Sequence, residues 1–220
     1  MKFTPGHIAN AARWWCILLL GLFCHAGMTC GEAASPGWVP VAVTSAGRIY
    51  HRDVEDSPLP MIMIATTFAA QPARVHAVVT DYDRFADFIP NVLESRVLAR
   101  RGSDQWVFHH LRFAGPVADR VYVIRSSENQ GTPESGYRIE WRLSQRRFAT
   151  VDASAGVRPR RFSGFWDLRP AADGAATEAR YAVHSDPGGF IPAWLVARMT
   201  HRYVQQVIEA VRERLLGEGP

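Results

Sequence analysis

The chain has 220 residues, a formal net charge of +4 and a single lysine, Lys2, so its positive charge is carried by arginine. Its three cysteines, Cys16, Cys24 and Cys30, all lie in the first thirty residues. The remainder therefore has no disulfide, no thiol nucleophile and no zinc–thiolate site, and must hold itself together with a core.

Trp14–Phe23 (WWCILLLGLF) is a ten-residue apolar run after a weakly basic start. A membrane-spanning helix needs about 20 such residues, so the run fits the apolar core of a secretory signal. Small residues around Ala26 and Ala33 offer cleavage points, and cleavage near Ala33 is expected. That removes Lys2, Arg13 and Glu32, a net +1, and leaves +3. The expectation is an exported, periplasmic protein with a signal peptide over 1–33. An uncleaved membrane anchor is the alternative address, and a buried first strand is a further reading of the run. Thr29 before Cys30 argues against a lipoprotein.

Residues 34–57 read as an extension of the domain, with one or two strands between Val39 and Val54. The domain proper spans 58–217. Leu59–Phe68 (LPMIMIATTF) is rich in β-branched and apolar residues, as a buried strand is. Pro72 opens a helix whose buried stripe is Val75, Val78 and Val79. Asp81 or Asp83 is placed to cap a second short helix, Tyr82–Ile89, stopped by Pro90. That helix carries three rings, Tyr82, Phe85 and Phe88, far more aromatic surface than so short a segment needs.

Strands separated by turn signals follow at 92–100, 105–113, 121–126, 137–143, 145–154, 161–169 and 177–185. Tyr137, Ile139, Trp141 and Leu143 alternate with Arg138, Glu140, Arg142 and Ser144, the period of an antiparallel strand over a core. The breaker Asp186-Pro187-Gly188-Gly189 leads into a long helix, Pro192–Leu216. Its stripe is Val196, Met199, Tyr203, Val207, Val211 and Leu215. The fold class is α+β: a curved antiparallel sheet wrapped around a long C-terminal helix, with two short helices after an early strand. A sheet that curls around a helix without being filled by it encloses a cavity.

Four segments in this order, QPARVHAVVTDYDRFADFIPNV, FAGPVADRVYVIR, FSGFWDLRP and HSDPGGFIPAWLV, resemble START-type domains of the Bet v 1/SRPBCC superfamily. The similarity is to the polyketide cyclase or COQ10-like (coenzyme Q-binding) branch and covers about Leu59–Leu216. Gly164-Phe165-Trp166 matches the Gly-x-Trp of relatives. Arg120 is followed by Val121 where relatives have Arg-Asp, so any role of that acid is absent. The resemblance implies a helix-grip fold around a hydrophobic ligand such as a lipid, sterol, isoprenoid, quinone or polyketide. It also implies that Tyr82–Ile89 borders the cavity entrance.

Leu111, Phe113, Trp141, Trp166, Met199 and Tyr203 are candidates for the cavity wall, and equally for ordinary core. Met199 adapts readily to varied ligand shapes. His109 and His110 are adjacent in a strand and point to opposite faces, so they cannot share a metal. His109, in phase with Leu111 and Phe113, faces inward, either bonded to a core hydroxyl or as an anchor for a ligand headgroup. Arg120 is either half of a turn ion pair with Asp119 or an inward guanidinium that meets a polar ligand group. Arg146, Arg147, Arg158, Arg160 and Arg161 surround Phe148 and Phe162. They read as a solvated loop or as a contact for an anionic membrane surface. No nucleic-acid partner, metal or cofactor is expected, and no G-x-S-x-G, P-loop or G-x-G-x-x-G motif occurs.

These features point to non-catalytic binding or transport of a hydrophobic ligand. A cyclase/aromatase-type enzyme using the same cavity is the alternative, with His109, Arg120 and Tyr203 as converging polar groups. A fully packed envelope protein is the third reading. Access is expected through a gate of Phe85, Phe88, Trp194 and Leu195, hinged at Asp186–Gly189.

Overall fold

Nine antiparallel strands form one sheet in the order β1-β2-β3-β9-β8-β7-β6-β5-β4. The strands are β1 (Val39–Val43), β2 (Arg48–Arg52), β3 (Met61–Phe68), β4 (Val92–Arg101), β5 (Asp104–Leu111), β6 (Arg120–Glu128), β7 (Tyr137–Leu143), β8 (Arg161–Pro170) and β9 (Thr177–Asp186). The helices are α1 (Pro72–Thr80), α2 (Phe85–Phe88) and α3 (Ala193–Gly217). This computed structural model describes residues 37–112, 117–129, 131–172 and 174–217. The expected signal segment, 1–33, and Phe113 lie outside the described residues.

β4 to β9 are successive antiparallel neighbours, and β9 then pairs with β3 to bring β2 and β1 into the same sheet. The extension 34–57 thus supplies two strands. Both faces of β3 are covered, which is why its sequence is nearly continuous in apolar residues. Ile62, Ile64 and Phe68 join the main core with Val204, Ile208 and Val211 of α3. Met61 and Met63 point the other way and pack with Trp38, Tyr50, Phe165 and Ala182 on the outer face.

α3 lies along the inner face, with Val196, Val204, Val207, Ile208, Val211 and Leu215 buried. Its C-terminal end is held by Arg74 of α1, whose Nη2 donates to the carbonyl oxygen of Leu215 at 2.7 Å. Arg212 Nη2 donates to Thr66 Oγ1 at 3.0 Å and so ties the same end to β3. The sheet and helix therefore grip most firmly toward the C-terminus of α3.

Three local expectations need correction. Tyr82–Ile89 is not one helix: Tyr82–Arg84 is a 3₁₀ turn, α2 is one turn long, and Ile89 is extended (φ −78°, ψ 127°). The ring of Pro90 disfavours the helical conformation at the residue before it. Neither Asp81 nor Asp83 caps through its side chain. Asp83 Oδ1 instead accepts from Val97 N at 2.7 Å, beside the bulge between Val97 and Ala99, and ties the aromatic segment to β4. Residues 145–154 form no strand. β7 already has β8 as its partner, so these residues have no ladder to join. They cross the outer face, where Phe148 and Val151 pack on Phe108, Val121 and Val123.

Candidate functional site

Two narrow chambers lie between the sheet and α3. Each has a cavity volume of about 60 Å³, on the measure by which one water needs roughly 10–15 Å³. The inner chamber is bordered by Phe85 of α2, His109 and Leu111 of β5, Trp141 of β7, Trp166 of β8 and Tyr203 of α3. The outer chamber is bordered by Arg120, Pro159, Pro187, Ile191 and Met199. Leu111, Tyr122, Phe162 and Tyr203 border both and form the partition between them. The rings of Tyr122 and Phe162 are 5.1 Å apart. Joining the chambers requires side chains of this partition to turn, or α3 to move.

The wall is built from strand phase. Tyr122 and Ile124 face inward on β6, and His109 stands opposite Tyr122 in the register. Gly164 explains how a tryptophan fits on β7. A Cβ at that position would overlap the six-membered ring of Trp141 and the carbonyl oxygen of Ala182. The Gly-x-Trp motif therefore seats two indoles: its glycine makes room for Trp141, and its own Trp166 stacks on Tyr181 with centroids 4.3 Å apart.

The polar groups of the inner chamber are uncharged. His109 is buried against Phe85, Tyr122 and Tyr82. Burial alone pushes its pKa down to about 4. No core hydroxyl serves it: Tyr82 Oη is hydrogen-bonded to Ser126 Oγ at 2.7 Å instead. The Nδ1 of His109 and the Nε1 of Trp141 are both buried without a hydrogen-bond partner. Burial, and then the neighbouring phenols, raise the pKa of Tyr122 and Tyr181, and burial raises that of Tyr203.

Arg120 does not pair with Asp119. The carboxylate of Asp119 meets His110 Nε2 at 2.8 Å and Arg112 at 3.7 Å. The guanidinium of Arg120 turns to backbone carbonyls instead. It donates to Ala118, to Pro187 at 2.9 Å and to Gly188 at 3.1 Å. Gly188 and Gly189 have φ of +69° and +76°, a conformation open mainly to glycine. The joint before α3 is thus pinned from β6.

The expected gate is not assembled. Phe85 borders the inner chamber, but Phe88 packs under Arg214, whose guanidinium is 5.5 Å from its ring. Phe88 also borders a surface groove with Arg202, Gln205 and Glu213. Trp194 lies eight or more residues earlier on α3, roughly 12 Å or more along the axis at 1.5 Å per residue. It is 67% exposed and, like Phe190, projects from the start of the helix. α2 lies against the middle and end of α3, so Phe88 and Trp194 stand apart in this structure.

The arginines divide. Arg146 lies over the rings of Trp106 and Phe148, at 4.9 and 4.7 Å. Arg147 is exposed on the same crossing segment. Arg158, Arg160 and Arg161 converge on a shallow groove with Arg142 and His184. That groove adjoins the joint: a Cβ on Gly188 would come within 3.4 Å of the carbonyl oxygen of Arg158. Sequence reasoning missed Tyr122, Phe162 and Tyr181 as wall residues. Tyr122 sits in VYVI, where both strand faces are apolar and the inward phase is not marked.

A sheet that grips a C-terminal helix around an aromatic cavity defines the helix-grip, START-type class. The family model for polyketide cyclase/dehydrase and lipid transport matches residues 68–212, and the chain belongs to that family. An uncharacterized protein of Pseudomonas aeruginosa is 25% identical over 165 residues, covering 75% of this chain and 80% of that one. Among solved structures, a STAR-related lipid transfer protein fragment from Xanthomonas axonopodis superposes with a TM-score of 0.70 at 24% identity, covering 81% of this chain and 98% of that one. Human STARD10 gives 0.71 at 16% identity, covering 84% and 76%. The Zhui aromatase/cyclase from a Streptomyces species gives 0.52 at 18% identity, covering 72% and 92%. At these identities the structural likeness concerns the fold.

Proposed function

We propose that this protein binds and carries a hydrophobic molecule in the joined inner and outer chambers. The observation that carries the reading is the continuous apolar and aromatic wall between the sheet and α3, divided only by movable side chains. Burying hydrocarbon contributes about 0.8 kcal/mol per methylene, so such a ligand needs few specific contacts. Entry is by the outer chamber, whose rim is the joint Pro187–Ile191. Phe190 and Trp194 are exposed on and just after this joint, and Arg158 and Arg160 approach it at Gly188, a pairing suited to the surface of an anionic membrane. The apolar run Trp14–Phe23 supports an exported carrier. Native mass spectrometry of the purified protein, followed by extraction and a panel of lipids, sterols and quinones, tests the reading. Co-purifying or titrated apolar ligand supports it, and a protein that takes up none of the panel overturns it.

A second reading has its own observation. His109 is an uncharged imidazole among phenols in the inner chamber, the kind of group that can move a proton within hydrogen-bond reach of a substrate. A cyclase/aromatase-type activity would consume a poly-β-ketone probe in a His109-dependent way. Turnover unchanged in His109→Phe would remove it.

A further inference from the structure

Among the described residues, Trp141 Nε1 and His109 Nδ1 are buried polar atoms with no hydrogen-bond partner, and both side chains border one apolar chamber. Buried polar groups are nearly always hydrogen-bonded, and one left without a partner is costly. An indole N–H can only donate, so its missing partner must accept. The imidazole can do either, according to its tautomer. Four phenols border the same chamber, Tyr82, Tyr122, Tyr181 and Tyr203, and that of Tyr82 is already bonded to Ser126.

Among the described residues, no arginine or lysine borders the inner chamber. The arginine at the outer chamber, Arg120, is bonded to the carbonyls of Ala118, Pro187 and Gly188. A carboxylate or phosphate in the inner chamber would therefore be buried without a cation, an arrangement proteins avoid. A plain hydrocarbon would fill the space but leave both nitrogens unpaired.

We infer that the inner chamber selects a neutral, largely apolar molecule bearing at least one hydrogen-bond-accepting oxygen, a ketone- or quinone-type carbonyl or a hydroxyl, received by Trp141 Nε1–H. This rests on the reading of the cavity as a hydrophobic binding site and narrows its ligand class. The oxygen enters first and the hydrocarbon trails toward the outer chamber. His109 stays neutral near pH 7, because burial holds its pKa at about 4, and serves the same or a second oxygen.

Three probes on one ring system test this: 9-fluorenone (ketone), fluorene (hydrocarbon) and fluorene-9-carboxylate (anion). Fluorenone is expected to bind roughly tenfold more tightly than fluorene, the scale of one buried hydrogen bond, with the carboxylate weakest. Fluorenone should also shift the indole N–H resonance of Trp141 in a nitrogen-15 spectrum, assigned by through-space contacts in the unsubstituted protein. Trp141→Phe should bring fluorenone and fluorene within about twofold of each other, whatever the change in the affinity of both. The resonance shift is read on the unsubstituted protein, so the test survives a variant that folds poorly. Equal binding of fluorenone and fluorene, or an unmoved Trp141 resonance with fluorenone bound, overturns this inference and leaves hydrophobic binding standing. Tightest binding by the carboxylate also overturns it. Failure of all three probes together with the lipid panel overturns the hydrophobic reading itself.

Discussion

Arg120 Nε donates to the carbonyl oxygen of Pro187 at 2.9 Å, joining the first residue of β6 to the turn before α3. Residues 67 positions apart in the chain thereby fix where the last helix begins. Arg120 is buried, and among the described residues it donates to the backbone carbonyls of Ala118, Pro187 and Gly188. Replacing it with methionine would take from those carbonyls the donor that Arg120 supplies. Hydrogen bonds to a charged group contribute about 1.5–3 kcal/mol. Arg120→Met is expected to lower stability by roughly that much in urea denaturation. Hydrogen exchange should rise at residues 186–196 before it rises in the C-terminal half of α3, where Arg74 and Arg212 hold the helix. A uniform rise along the whole of α3 would show that Arg120 has no local hold on the joint.

Gly164 and Trp141 give a second prediction. Gly164→Ala places a methyl group against the indole and against the carbonyl oxygen of Ala182. Overpacking of this kind costs about 1–3 kcal/mol. The near-ultraviolet circular dichroism of Trp141 should change with it. Trp141→Phe removes the six-membered indole ring that the methyl group meets, so the double variant should lose less than the two single losses combined. Strict additivity in that cycle would mean that the two residues do not meet.

The pH dependence follows from the buried imidazoles. His109 has an ordinary value of 6.5 and a folded value of about 4, set by burial. Its folded pKa is depressed, so the unfolded chain takes up the proton first. The stability tied to the neutral form is full above about pH 6.5 and is lost as pH falls toward 4. The steepest slope from one such group is about 1.4 kcal/mol per pH unit. Burial also lowers His51 and His201, whose Nε2 atoms are hydrogen-bonded across β2 and α3. The charge of His51 lowers His201 further, while Asp53 partly offsets the shift at His51. Denaturation measured from pH 7 to 4.5 should show falling stability, and His109→Phe should flatten that fall by up to one proton's worth. An identical profile in the variant would mean that His109 is accessible to protons in the folded state.

Periodicity made the architecture legible in the sequence. The stripe from Val196 to Leu215 could only be a helix over an apolar surface, and the alternation through Trp141 could only be a strand. What was not legible depended on neighbours distant in sequence. Residues 145–154 have propensity enough for a strand, but β7 already had a partner. Phe148 and Val151 instead seal the outer face. Tyr122 and Tyr181 became wall residues because the sheet curves, and curvature leaves no mark in a segment apolar on both faces. The gate failed for a related reason: the sequence places α2 near α3, but not along which turns. The sequence favours Arg120 in a turn ion pair with Asp119, and the carbonyls of Pro187 and Gly188, distant in the chain, draw it elsewhere.

Phe190 and Trp194 carry the last prediction. Both are large, exposed and adjacent to the outer chamber's rim, and Arg158 and Arg160 flank the same joint. Neither ring contributes to the core clusters, so replacing them leaves folding stability nearly unchanged, within about 0.5 kcal/mol. If the tip enters a bilayer, Phe190→Ser with Trp194→Ser should weaken binding to vesicles containing anionic lipid by tenfold or more, since each ring buries on the order of 100 Å² or more of apolar surface. Arg158→Ser and Arg160→Ser should each cost about 1 kcal/mol of that affinity, roughly fivefold, only when the vesicles are anionic and the salt is low. Ligand transfer from vesicle to protein should slow in parallel, while binding of fluorenone measured without vesicles stays as it was. Vesicle affinity unchanged by the aromatic pair would place the membrane contact elsewhere, and the same loss on neutral and anionic vesicles for the arginine variants would mean that their charge is not what the surface reads.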